Sequence, residues 1–298
     1  MHRLAVAATL TAVFLFGLAM LPLRYPDKNL GWPTFELRRG EKPIVPVGQD
    51  SVRWVLRFSD EFDGDNLNRD VWTPCFWWDD NGCTNLSTNE QQWYVPDQVT
   101  TRDGTLHLTA DHGPVVGYNG ATFPYVSGMV SSGRPTSDKE TEPGYAFQFG
   151  YVEMRARIPA GAGLWPAFWL LPITHDSKPE IDILEFLGQD PNLFRSHIHW
   201  RNDAGESRSE GNRWRGPNFA DGWHTFAVEW SEDAVIWFVD GRQVWSFHDA
   251  DHLPAEPMYL IANLAVGGEY AGPTDGTDFP AEFAVDYIRV WQEATPSG

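Results

Sequence analysis

Beyond an apolar start, the chain is a succession of short runs in which apolar and polar residues alternate, each ended by glycine, proline, asparagine or aspartate. Alternation with a period of two marks a strand with one face buried. Such runs are read at 52–58, 93–96, 99–109, 125–131, 147–158, 165–171, 180–186, 196–200, 223–230, 234–239, 243–247, 258–264 and 283–291. Asp103-Gly104 and Asp240-Gly241 each fall between two runs, where an Asp-Gly pair favours a tight hairpin. No long helical period appears after the N-terminus. More than ten strands without intervening helices predict an all-β fold of two antiparallel sheets packed face to face.

Composition supports this pattern. Fifteen Trp, 18 Phe, 27 Gly and 22 Pro in 298 residues describe a turn-rich β protein with aromatic surfaces. The formal charge of −19, from 22 basic and 41 acidic residues, argues against nucleic acid or an anionic membrane surface as partner of the folded domain. It also makes a highly sulfated polymer an unnatural ligand, whereas a neutral polymer carries no such penalty.

The N-terminus predicts export. Met1-His2-Arg3 is a short basic start, and 4–23 is a nearly unbroken apolar run closed by Arg24. Residues 1–24 are therefore either a signal peptide, with Gly17-Leu18-Ala19 suited to cleavage, or an uncleaved membrane anchor. Residues 25–50, with Pro26, Pro33, Pro43 and Pro46, read as a linker, and 51–293 as the domain proper. Cys75 and Cys83 flank an aromatic, Asp/Asn/Gly-rich loop. In an exported protein they are expected to form a disulfide, the alternative being two reduced thiols.

Candidate chemistry sits at Glu180-Ile181-Asp182-Ile183-Leu184-Glu185. As a strand, this places Glu180 and Asp182 on one face and Ile181 and Ile183 on the other. Unbroken alternation would bury Glu185 on the apolar side, at a cost of several kcal/mol. A β-bulge at Ile183 or Leu184 would return it to the acidic face. Glu180 and Glu185 would then lie about 13 Å apart at their Cα atoms. Their side chains could close to the ~5 Å at which one carboxyl attacks a sugar and the other serves as acid and base. The charge of Asp182 between them would make it harder for a neighbouring carboxyl to ionise, so that one of two identical groups stays protonated as an acid. The alternative is an acidic, solvent-facing strand.

These residues resemble glycoside hydrolase family 16, particularly its laminarinase-like endo-β-1,3-glucanases. The resemblance is carried by the run 180–188 preceded by Gly161-Ala162-Gly163-Leu164-Trp165-Pro166-Ala167-Phe168-Trp169, and by 58–62, 89–94, 149–153, 223–230, 258–268 and 285–291, all in the expected order. It implies a concanavalin A-like jelly-roll sandwich with a catalytic cleft across its concave sheet. Carried over, Glu180 is the nucleophile, Glu185 the acid/base and Asp182 the residue that holds and tunes Glu180. The expected protein is a monomer acting on a polysaccharide, β-1,3-glucan first and mixed-linkage glucan or an algal galactan as rivals. The other class is a glucan-binding member of the family that does not cut, but such members lack the carboxylates retained in this chain.

Trp165 and Trp169 share strand parity and could be sugar platforms or core residues. Trp223, Trp230, Trp237 and Trp291 are assigned to the core. His197 and His199 share a face; with no third ligand at a suitable spacing, a metal reading is set aside. The resemblance makes them cleft contacts, His199 to sugar or a catalytic carboxylate. It also makes Asn89, Glu90 and Asn263 sugar hydrogen-bonders, though each could instead stabilise a turn. No cofactor is expected in catalysis. A structural calcium is implied, held by main-chain oxygens near Glu61 and Gly104 and by the Asp286 side chain. One departure is Met129, where many relatives have a sugar-binding arginine.

Overall fold

The computed structural model describes residues 54–294 except 76–82, 118–119, 137, 139 and 175. The signal or anchor expected at 1–24 and the linker expected at 25–50 lie outside the described residues, as does the whole loop between the cysteines. Among the described residues no helix is long and apolar enough to cross a membrane.

The described residues form seventeen strands: β1 (Trp54–Asp60), β2 (Gln92–Tyr94), β3 (Val99–Arg102), β4 (Thr105–Val116), β5 (Thr122–Ser127), β6 (Met129–Ser131), β7 (Ala146–Phe147), β8 (Gly150–Arg157), β9 (Leu164–Pro172), β10 (Glu180–Glu185), β11 (Leu193–Arg201), β12 (Ser207–Arg215), β13 (His224–Trp230), β14 (Val235–Val239), β15 (Arg242–Phe247), β16 (Met258–Val266) and β17 (Ala281–Glu293). A ten-stranded sheet runs β15-β14-β13-β8-β17-β4-β5-β2, with β1 beside β17 and β3 beside β4; a seven-stranded sheet runs β12-β11-β10-β9-β16-β6, with β7 beside β16. The strands pair antiparallel, except that β2 and β5 pair in parallel at the rim. The main core draws Val152, Met154, Val228, Val285 and Ile288 from the larger sheet and Phe168, Leu170, Ile181, Ile198 and Leu260 from the smaller, all fully buried. This burial of branched and aromatic side chains is the principal stabilising term.

Two expected runs divide between the sheets. The run 125–131 breaks at Gly128 into β5 and β6, and a Cβ there would stand 2.3 Å from the Gln98 carbonyl oxygen. Only glycine allows the crossing. The run 147–158 breaks into β7 and β8 at Phe149, whose φ is 57°. Strand β12 was not expected, because Ser-Arg-Ser-Glu-Gly-Asn-Arg-Trp-Arg shows no apolar alternation; it is a mostly exposed edge strand and needs none. Both Asp-Gly turns are present, with positive φ at Asp103, Gly104, Asp240 and Gly241. Cys75 and Cys83 form the expected disulfide, Cα to Cα 4.7 Å. Trp230, Trp237 and Trp291 are buried. Trp223 is not in the core: it is half-buried beneath the guanidinium groups of Arg155 and Arg157, 5.3 and 5.6 Å from its ring.

Candidate active site

The bulge lies in β10 at Ile183. Against β9, Asp182 faces Trp169 and Leu184 faces Phe168, so Ile183 has no partner. Against β11, Asp182 faces His197 and Glu185 faces Arg195, three steps on one strand against two on the other. Ile181, Ile183 and Leu184 all turn into the core, and Glu180, Asp182 and Glu185 share the opposite face. The bulge is pinned from the far sheet: Trp237 Nε1, on β14, donates to the Asp182 carbonyl oxygen at 2.9 Å.

Each carboxyl has its own partner. Lys178 pairs with Glu180. His199 Nε2 lies 3.0 Å from Asp182 Oδ2, and His197 Nδ1 lies 2.5 Å from Glu185 Oε2. Glu185 Oε1 also accepts from Trp165 Nε1 at 3.1 Å. In register His199 faces Glu180 and His197 faces Asp182, so each imidazole leans one carboxyl further along β10. The His197 ring lies on Gly211 of β12, where a Cβ would come within 2.0 Å of its Cδ2.

Burial pushes the Asp182 carboxyl well above its ordinary range, and Glu180 and Glu185 push it further. The sequence reading placed a charge between the two glutamates; in the structure, the middle carboxyl is the one whose ionisation burial opposes. Burial also lowers His199, with Glu180 opposing. A protonated Asp182 can thus donate to a neutral imidazole at His199. At His197 burial acts downward too, but the hydrogen bond and charge of Glu185 outweigh it and raise the imidazole. His197 and Glu185 are arranged to share a proton.

Trp165 and Trp169 both lie half-buried on this face of β9. Trp169 Nε1 donates to Asn263 Oδ1 at 2.8 Å, and Asn263 Nδ2 donates to the Tyr94 hydroxyl at 3.0 Å. Glu90 is buried and accepts from Thr88 (2.9 Å), Gln92 (2.5 Å) and Tyr94 (3.4 Å). Burial lifts it to about 7 against those bonds. Glu90 thus props Tyr94 and, through it, Asn263, rather than standing open to a sugar. Asn89, in the left-handed region at φ 53°, donates to Glu269 at 2.6 Å. Met129 is fully buried in a cluster with Tyr94, Tyr259 and Ile261.

Two cleft residues escaped the sequence reading. Lys178 lies before β10, outside the reach of strand parity, and pairs with Glu180 from there. Tyr270, on a four-residue helix α1 (Gly268–Ala271), packs 4.7 Å from the Trp165 ring, a purely tertiary contact. The dismissed metal reading also changes: strand pairing supplies a third donor, so that ligand atoms of Asp182, His197 and His199 lie within 4.8 Å of one another, although each imidazole already engages a carboxyl.

The segments implied for calcium do converge. Strand β17 pairs Val285 with Leu106 and Ile288 with Asp60, which sets Asp286 beside the Gly104 turn and the Glu61 segment. Asp286 Oδ2 accepts from Arg155 at 2.8 Å, and both Glu61 oxygens accept from Arg289 at 2.7 Å. A hard cation here would have to draw on main-chain oxygens and Asp286, since the Glu61 carboxylate is taken by Arg289.

Paired glutamates flanked by indoles on one face of a two-sheet sandwich are the equipment of a carbohydrate-cutting cleft. A family model, glycosyl hydrolases family 16, matches residues 85–289. The chain is 34% identical over 253 residues to the endo-1,3-1,4-beta-glycanase ExsH of Rhizobium meliloti, covering 78% of this chain and 51% of that one. It is 32% identical to a beta-glucanase of Rhodothermus marinus, covering 80% and 85%. Among solved structures, the laminarinase catalytic domain of Thermotoga maritima matches with a TM-score of 0.70 and 29% identity, over 81% of this chain and 99% of that one. The endo-beta-1,3-glucanase of Pyrococcus furiosus matches at 0.69 and 31%, over 83% and 97%. The chain belongs to glycosyl hydrolase family 16. It spans about half the length of the first curated relatives it matches.

Proposed function

We propose that the protein is a retaining endo-glycosidase that cuts β-1,3-glucan. Glu180 attacks the anomeric carbon while Glu185 protonates the leaving oxygen; Glu185 then takes a proton from water as the glycosyl-enzyme intermediate is released. Asp182, bonded to His199, holds the strand between them, and His197 returns and removes the Glu185 proton. The indoles of Trp165 and Trp169 are platforms for the C–H faces of sugar rings. The observation that carries this reading is the Ile183 bulge, which turns three carboxyls to one face, each with a partner suited to a separate role. No cofactor enters the chemistry, and calcium held by Asp286 and main-chain oxygens near Glu61 and Gly104 would be structural. Export through residues 1–24 would bring the enzyme to its polymer.

Mixed-linkage glucan is the second reading, favoured by the relative named endo-1,3-1,4-beta-glycanase. Reducing-sugar release from laminarin, lichenan, agarose and carrageenan tests both. Laminarin is expected to be cut fastest, and Glu180→Gln and Glu185→Gln each to lose at least about a thousandfold. Failure to cut any of the four would refute the reading in favour of binding alone.

A further inference from the structure

The negative charge of the chain is not uniform: two arginines stand side by side next to Glu185. Arg195 is directly across from Glu185 on β11, and Arg213 of β12 is directly across from Arg195. Directly opposed residues of antiparallel strands share a face, so both arginines lie on the face of the three carboxyls. Like charges placed opposite in a sheet are destabilising. Neither arginine has an ion pair among the described residues: Arg195 donates from Nη1 to the Leu193 carbonyl at 3.0 Å, and Arg213 is exposed. Acids are not scarce, since Arg215, two positions on, is held by both oxygens of Asp190 at 3.1 and 2.9 Å. Tyr270 closes the corner over Trp165, and its hydroxyl makes no hydrogen bond among the described residues. Burial lowers Arg195 and Arg213 adds to that, while Tyr270, Asp190 and Glu185 oppose it; the Tyr270 hydroxyl lies in the fields of Glu185, Arg195, Asp182 and Arg213. This corner sets two cations, neither in an ion pair among the described residues, and a hydroxyl beside a sugar platform.

We propose that Arg195, Arg213 and Tyr270 form a subsite for an anionic substituent, a carboxylate or sulfate ester, carried by the β-glucan chain that lies in the cleft. The inference rests on the glucan reading and narrows it to chains bearing negative groups. Guanidinium groups are weakly hydrated and present paired donors to such oxyanions. Local cations are also what a protein of charge −19 needs to accept a polyanion against its own field.

The test compares the full chain on laminarin, carboxymethylated β-1,3-glucan and sulfated β-1,3-glucan of matched length, for wild type, Arg213→Ala and Arg213→Lys. Wild type is expected to cut at least one anionic polymer as well as laminarin. Arg213→Ala should lose about tenfold in kcat/KM on that polymer, through KM, with less than a threefold change on laminarin. Arg213→Lys should restore most of the loss, and 0.5 M salt should erase the difference. Preference for the carboxymethyl or the sulfate polymer identifies the group recognised. Equal losses on neutral and charged chains, or rejection of both anionic polymers by an enzyme that cuts laminarin, would overturn the subsite. Affinity electrophoresis of Glu180→Gln in gels of each polymer reads the same preference without turnover: retardation by neither anionic gel beyond that by laminarin refutes the subsite even if no polymer is cut.

Discussion

The catalytic face depends on a bulge, and a hydrogen bond from the other sheet helps to hold that bulge, so Trp237→Phe probes the arrangement from outside the cleft. Trp237 is fully buried and its Nε1 holds the Asp182 carbonyl at 2.9 Å. Phenylalanine keeps a ring in place but leaves that carbonyl without a donor in a dry core, at about 1–3 kcal/mol. The smaller ring leaves a void that adds on the order of 1 kcal/mol. A loss of about 2–4 kcal/mol is expected in urea melts, small enough to leave a domain of ordinary stability folded. Freed from its anchor, the bulge can shift the Asp182 and Glu185 side chains, and kcat on the cleaved polymer should fall about tenfold or more. Trp245 is the control: it stacks on Trp237 at 4.2 Å but does not bond the bulge, so Trp245→Phe should cost stability with little change in kcat. A folded Trp237→Phe variant with wild-type kcat, or one less than about 0.5 kcal/mol destabilised, would refute the reasoning.

Three further outcomes are expected. Glu90 sits at about 7 in the folded protein against 4.5 when exposed, so the folded state binds more protons between those values and stability falls as pH rises through them, by roughly 3 kcal/mol; thermal melts of Glu90→Gln at pH 5 and pH 8 should show a shallower pH dependence than wild type. Because His197 is raised by Glu185, the pair keeps its proton to higher pH, and activity needing that proton is present below this value and lost as pH rises through it; in His197→Asn the alkaline limb of kcat/KM should move to lower pH, and an unmoved limb would contradict a shared proton. Replacing Cys75 and Cys83 by serine opens a loop closed over a sequence separation of 8 and should cost about 2–3 kcal/mol in denaturant melts, with wild type matching the variant once reduced.

Much of this was legible in the chain because the chemistry is written into one strand. Three carboxyls among isoleucines and leucine conflict with a period of two, and the conflict is resolved only by an added residue, which the structure places at Ile183. The two sheets followed from alternation, but their rims did not. An exposed edge such as β12 needs no apolar face, and the breaks at Gly128 and Phe149 lie inside runs that alternate smoothly, since a strand crossing between sheets keeps its pattern. Which residues partner across strands is beyond a linear pattern. Glu90 is next to Asn89 in the chain but is drawn inward to hold Tyr94, whereas Tyr270 reaches the cleft from a helix of four residues. The upward shift of the Asp182 carboxyl is likewise a matter of burial, which a motif does not record.

Whether Glu180 forms a covalent bond to the sugar decides the mechanism, and proton NMR of the first product released is the most direct reading. Two displacements at the same carbon return the original configuration, so the β anomer should appear first and the α anomer grow in only as the free sugar mutarotates. An α anomer at the earliest time points would mean a single displacement by water, with Glu180 no nucleophile and Glu185 no partner to a covalent intermediate.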